Sequence, residues 1–162
     1  MDIVLLEKAL LVVYPERNLE KERISGKTLS FFEEYEIPNQ LVNFLEKFSF
    51  EQNVRFNNVY FDKVNEMPDN NLYEQNRRCM DARLLIIGSG LNGDFVVLDV
   101  ENLKVGYVFH DELWEDELVN PRDIHINLNC SIGEFYYYHI TVHDFPVDGY
   151  EAEEYVEKNK IL

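Results

Sequence analysis

Three apolar runs, Arg83–Gly88, Asp94–Val100 and Val105–His110, are separated by gaps too short to hold a crossover. A parallel strand pair needs a dozen or more connecting residues, whereas antiparallel neighbours need only a turn. The spacing therefore predicts successive antiparallel hairpins. The first gap also carries a literal G-x-G-x-x-G at Gly88, Gly90 and Gly93. A dinucleotide site would require the third glycine to open a helix, whose amides and dipole hold the pyrophosphate. Here Gly93 is followed by Asp94 and then by Phe-Val-Val-Leu-Asp-Val, a run with no helical period. Asn92-Gly93 is a hairpin-turn dipeptide, and Asp94 would present phosphates with the wrong charge. The motif reads as a glycine-rich β-turn in which Asp94 bonds the turn's amides.

Helical signals lie on both sides of this meander. Asp2–Tyr14 reads as a helix stopped by Pro15, and Pro15–Lys27 as an exposed connection or frayed helix. In Ile37-Pro-Asn-Gln-Leu-Val-Asn-Phe-Leu-Glu-Lys-Phe48, Pro38 suits a first turn. There Leu41, Phe44, Leu45 and Phe48 recur at one helical face. Val54–Phe61 is strand-like but interrupted by Asn57-Asn58, and Asn65–Arg83 reads as a polar surface wrap with a short helix. Ile124, Ile126 and Leu128 alternate with His125, Asn127 and Asn129, giving a strand with one buried and one wet face. Ser131 and Glu134 form a capping box ahead of a helix, and Asp148 with Glu151 repeats the pattern. The order predicts a single α+β domain over residues 1–162: a mainly antiparallel sheet with helices from both ends of the chain packed beside it.

With 15 basic and 31 acidic residues the formal net charge is −16. Such a field repels nucleic acid and anionic membranes and attracts basic partners. The start of the chain lacks a basic leader, and Glu7 and Lys8 interrupt its apolar stretch. It reads as an amphipathic helix of a cytoplasmic chain rather than a signal peptide. Cys79 and Cys130 have no C-x-x-C spacing and read as buried reduced thiols.

Two constellations could carry chemistry. His139 and His143 are four apart, a spacing that can hold a metal on one helical face. No glutamate follows the first histidine and no third ligand is evident, so the expectation is histidines at the edge of a core. The run His110-Asp-Glu-Leu-Trp-Glu-Asp-Glu117 sets Asp111, Glu112, Glu115, Asp116 and Glu117 around Trp114. It reads either as a solvated loop or as a binding surface in which Trp114 anchors a basic protein and the acids steer it. No phosphate loop, nucleophile elbow or zinc spacing occurs, and the sequence predicts no catalytic site, cofactor or metal.

Together these segments resemble the SUKH superfamily, which includes bacterial toxin-immunity proteins and is similar to the yeast cell-wall synthesis regulator. The resemblance rests on the Ile37-Pro38 helix, the strand–G-x-G-x-x-G-D–strand core with a following Gly-x-Val, and the Ser131–Ile140 helix, and spans roughly Tyr35 to Ile140. It matches the family pattern at Pro38, Gly88, Gly90, Gly93, Asp94 and Gly106 and departs after Phe48, where many members carry Asn-Gly. It implies a non-enzymatic α+β domain that neutralises a cognate toxin, often a nuclease, or alternatively a regulatory scaffold that binds cellular enzymes or signalling proteins.

Overall fold

The six strands pair in the order in which they occur in the chain. In the computed structural model, which describes residues 1–16 and 18–160, these are β1 (Val54–Phe56), β2 (Val59–Phe61), β3 (Leu84–Ser89), β4 (Phe95–Asp99), β5 (Val105–Val108) and β6 (His125–Cys130). They form one sheet in which every neighbouring pair is antiparallel. The interrupted run Val54–Phe61 is itself a hairpin: Asn57 takes φ 55°, and Phe56 faces Val59 across the turn. Asparagine tolerates that left-handed conformation where most residues do not.

The glycine motif is divided between a strand and a turn. Gly93 adopts φ 86° and closes the β3–β4 hairpin, whose ends are tied by Gly90 N–H donating to the Asp94 carbonyl at 2.8 Å. Gly88 lies inside β3, where the register slips by one residue between Ile86 and Gly88. A Cβ on Gly88 would stand 1.8 Å from the Tyr60 carbonyl oxygen, so β2 could not approach any other residue this closely.

Residues of β3 and β4 alternate between two cores. Leu85, Ile87, Val96 and Leu98 enter the larger core, with α1 (Ile3–Val13), α3 (Asn39–Lys47), α7 (Ile132–Thr141) and α8 (Gly149–Lys160) contributing Leu6, Phe44, Phe135 and Ala152. Leu84, Ile86 and Val97 enter a smaller core on the other face with Leu113 and Ile124. Helices thus cover both faces, which explains why the central strands are apolar throughout rather than alternating.

Two stretches differ from the sequence expectation. The charged connection gives way at Gly26 to a helix, α2 (Gly26–Glu34), whose Phe31 and Phe32 are buried. Ser25 caps it, with its hydroxyl oxygen accepting from Thr28 N–H at 3.2 Å. Residues 65–83 are not merely a surface wrap. They hold α4 (Met67–Leu72) and α5 (Arg77–Asp81), which bury Met67, Asn71, Cys79 and Met80. The Asn71 amide donates to Ile86 O at 2.9 Å and accepts from Ile86 N–H at 2.8 Å, taking the place of a strand neighbour.

Candidate functional site

The run after β5 forms a short helix, α6 (His110–Glu115), where the sequence pattern predicts a loop. Leu113 is its one buried residue and anchors it in the smaller core. At its start, Asp94 Oδ1 accepts from His110 Nδ1 at 2.9 Å and from His110 backbone N–H at 3.2 Å. The same carboxylate's Oδ2 accepts from Gly149 N–H at 2.9 Å. Asp94 therefore bonds the first residues of two other elements, α6 and α8, and not the amides of its own turn as expected from the sequence.

Arg78 from α5 fixes the other end. Its guanidinium donates to the carbonyl oxygens of Leu113, Asp116 and Val119, the last two at 3.0 Å. A fixed positive charge at the helix C-terminus complements the macrodipole and satisfies orphan carbonyls. It also offsets Glu115 and Asp116, which occupy the unfavourable end, whereas Asp111 and Glu112 sit in the favourable first turn.

Trp114 is 46% exposed, and its orientation is set on three sides. The indole N–H donates to Asn76 Oδ1 at 2.9 Å, and the ring lies edge-on to His110 at 5.7 Å and beside Phe95 at 6.2 Å. All five acids around it are exposed. Asp111 meets His110 Nε2 at 2.8 Å. Among the described residues, neither it nor Glu112, Glu115, Asp116 or Glu117 forms an ion pair with Lys or Arg. The nearby cation Arg122 is committed elsewhere, bidentate to Asp99 at 2.5 and 3.2 Å.

The structure adds members that local sequence patterns did not single out. Leu118 is 93% exposed at the tip of the loop after α6, held by its own N–H donating to Asp116 Oδ1 at 2.8 Å. Tyr73 is exposed just before Asn76, the residue that holds Trp114. Glu74, Gln75, Arg78 and Glu117 line an open depression of about 360 Å³ between them. An apolar residue exposed on a polar loop is the sequence signal for Leu118; the roles of Asn76 and Arg78 depend on folding.

The remaining candidates do not assemble. His139 is buried among Phe135, Phe145 and Tyr107, with Nδ1 2.7 Å from the Phe135 carbonyl oxygen and Nε2 3.1 Å from that of Pro146. Burial pushes its pKa down to about 4, against the pull of those two carbonyls. His143 lies beyond the end of α7, its side chain exposed beside Asp144. The two histidines therefore do not share a helical face, and His143 is exposed rather than at the edge of a core as expected from the sequence. Among the described residues no group of three His, Cys, Asp or Glu side chains could hold a metal ion. Cys79 and Cys130 are buried and unpaired, and burial raises each thiol to about 12. No described helix is long and apolar enough to cross a membrane.

The site is thus a fixed aromatic side chain within a group of exposed carboxylates, supported from behind by Asp94, Asn76 and Arg78. Comparison with protein-family models, curated proteins and solved structures finds no match to this chain.

Proposed function

We propose that this chain is a non-enzymatic protein-binding domain of the SUKH immunity type, which occludes the basic surface of a cognate nuclease toxin in the cytoplasm. The observation that carries the reading is Trp114, held by Asn76 and half exposed among five carboxylates that pair with no Lys or Arg among the described residues. A nuclease needs a basic groove for phosphates, and an acidic protein competes for that groove. Complementary charge accelerates the encounter, while a central aromatic side chain supplies much of the binding energy. Because α6 is braced at both ends, little ordering entropy is lost when it docks. The sequence resemblance over Tyr35–Ile140 agrees with this reading, as does the net charge of −16.

The test is co-expression with the product of the neighbouring gene, scored by growth and by pull-down. Removing charge with D111N, E112Q, E115Q, D116N and E117Q together abolishes protection and capture on this reading. Full protection by that variant would exclude α6 as the toxin-binding face.

A further inference from the structure

The largest apolar exposure among the described residues lies on α1, on the opposite side of the sheet from α6. Leu6 and Ala9 face the larger core, leaving Ile3, Val4, Glu7, Lys8, Leu11 and Val12 exposed. Val4 and Val12 are each about 60% exposed, in a helix with a single acid and a single base. An isolated exposed apolar residue needs no explanation, but four on one helical face do.

The exposed set is symmetric about the Glu7–Lys8 bond. It consists of two ridges of four-residue spacing, Ile3-Glu7-Leu11 and Val4-Lys8-Val12. Reversing the helix brings one ridge onto the other: Ile3 onto Val12, Glu7 onto Lys8, and Leu11 onto Val4. Each apolar residue then meets an apolar residue, and the acid meets the base. That is the self-complementarity a two-fold interface requires, since residue i must suit residue j in both directions. Ridges of this spacing interdigitate when helices cross at about −50°.

We propose that α1 is a homodimer interface, with two copies packed antiparallel across a two-fold axis at Glu7 and Lys8. The surroundings suit a second copy of this acidic chain. Lys21 and Lys47 lie beside α1, Lys47 bridging Glu7 at 2.8 Å, so the local surface is far less negative than the whole. A stable interface takes about 800 Å² from each partner, so the contact extends beyond the helix. Two grooves flank α1 and provide that surface. One, of about 540 Å³, has Leu10, Tyr14, Leu19, Phe48 and Phe50 in its walls. The other, of about 620 Å³, is lined in part by Met1, Ile3, Val4 and Phe44. A helix crossing α1 obliquely rests its ends over both. The dimer leaves the two α6 surfaces uncovered.

Sedimentation equilibrium over a wide concentration range, at moderate salt to screen the net charge, tests the pairing. The wild-type chain sediments at twice its monomer mass. E7K and K8E each place like charges across the axis and sediment as monomers. Mixing them restores a dimer, because the two adjacent bases of the E7K chain then face the two adjacent acids of the K8E chain; V12D is monomeric. Unchanged far-UV circular dichroism confirms that the exposed substitutions leave the fold intact, while loss of the dimer removes the concentration dependence of melting. A monomeric wild type overturns the proposal, as do single-charge variants that remain dimeric or a mixture that stays monomeric.

Discussion

Asp94 Oδ2 and the backbone N–H of Gly149 meet at 2.9 Å although 55 positions separate them in the chain. The bond ties the β3–β4 turn to the start of α8, while Oδ1 of the same carboxylate secures His110. The aspartate that follows the glycine motif is therefore a junction of three segments. Asp94→Ala strands the Gly149 and His110 donors and costs about 3 kcal/mol. Asp94→Asn keeps one acceptor oxygen and costs roughly half as much. Urea denaturation measures both, and equal stability of the alanine variant would show these bonds to be dispensable.

Arg122 and Asp99 form a separate tie between distant segments. Burial alone would raise the Asp99 pKa, but the hydrogen bonds and charge of Arg122 outweigh it and hold the carboxyl below its ordinary value. Arg122→Met leaves a buried carboxylate without its partner and costs about 3 kcal/mol at neutral pH. The double variant with Asp99→Asn costs less than that single change, because no unpaired charge remains. A double-mutant cycle by chemical denaturation gives the coupling directly.

His139 makes stability depend on pH. It titrates near 4 in the fold and at its ordinary 6.5 when exposed. Protons therefore bind the unfolded chain first. Its contribution is complete above pH 6.5 and is lost as the pH falls towards 4, by up to about 3 kcal/mol. His125, also pushed down to about 4 by burial, acts in the same direction. Asp62 opposes them: burial raises it to about 6, so its folded form is favoured at low pH and loses that advantage between 3.8 and 6. His139→Asn flattens the pH profile between 4 and 6.5, whereas Asp62→Asn steepens it. Denaturation midpoints across that range distinguish the two.

Trp114 is the only tryptophan, so its fluorescence reports the proposed binding face alone. Trp114→Ala removes a half-exposed ring and the bond to Asn76, costing about 1–2 kcal/mol of stability. On the proposed function its effect on the partner complex is larger, at least about 2 kcal/mol, as for a central aromatic anchor. Titration calorimetry against the partner sets that loss beside the melting shift, and an equal change in both would reduce Trp114 to a structural role.

Cys79 and Cys130 resist alkylation in the folded state, since burial holds both thiols protonated. Iodoacetamide labelling at neutral pH proceeds only as the chain unfolds in denaturant. Rapid labelling of the native protein would contradict their burial.

Local patterns in the chain predicted what depends on near neighbours. The Leu41, Phe44, Leu45 and Phe48 stripe is buried, and the Ser131–Glu134 box closes with bonds of 2.7 and 3.2 Å. The hairpins followed from gap length alone. What escaped depends on partners distant in sequence. The helix at Gly26–Glu34 is fixed by Asn65, whose amide oxygen accepts from Ser25 N–H and the Thr28 hydroxyl. The run after β5 is held as a helix in part by Arg78, more than thirty positions upstream, which donates to the Leu113 carbonyl in its last turn and to those of Asp116 and Val119 beyond it. No periodicity in either segment encodes those contacts.

The docking of α1 against α7 has a consequence for synthesis. The sheet can be assembled one hairpin at a time, because each strand pairs with its neighbour in the chain. The first helix cannot follow that order: it rests on α7, where Gly133 N–H donates to the Met1 carbonyl at 2.9 Å. Until residues 132–141 emerge from the ribosome, Leu6 and Ala9 lack their final packing partners. A strongly apolar helix is thus made well before the partner that buries its inner face, which leaves it for nascent-chain chaperones to shield in the interval.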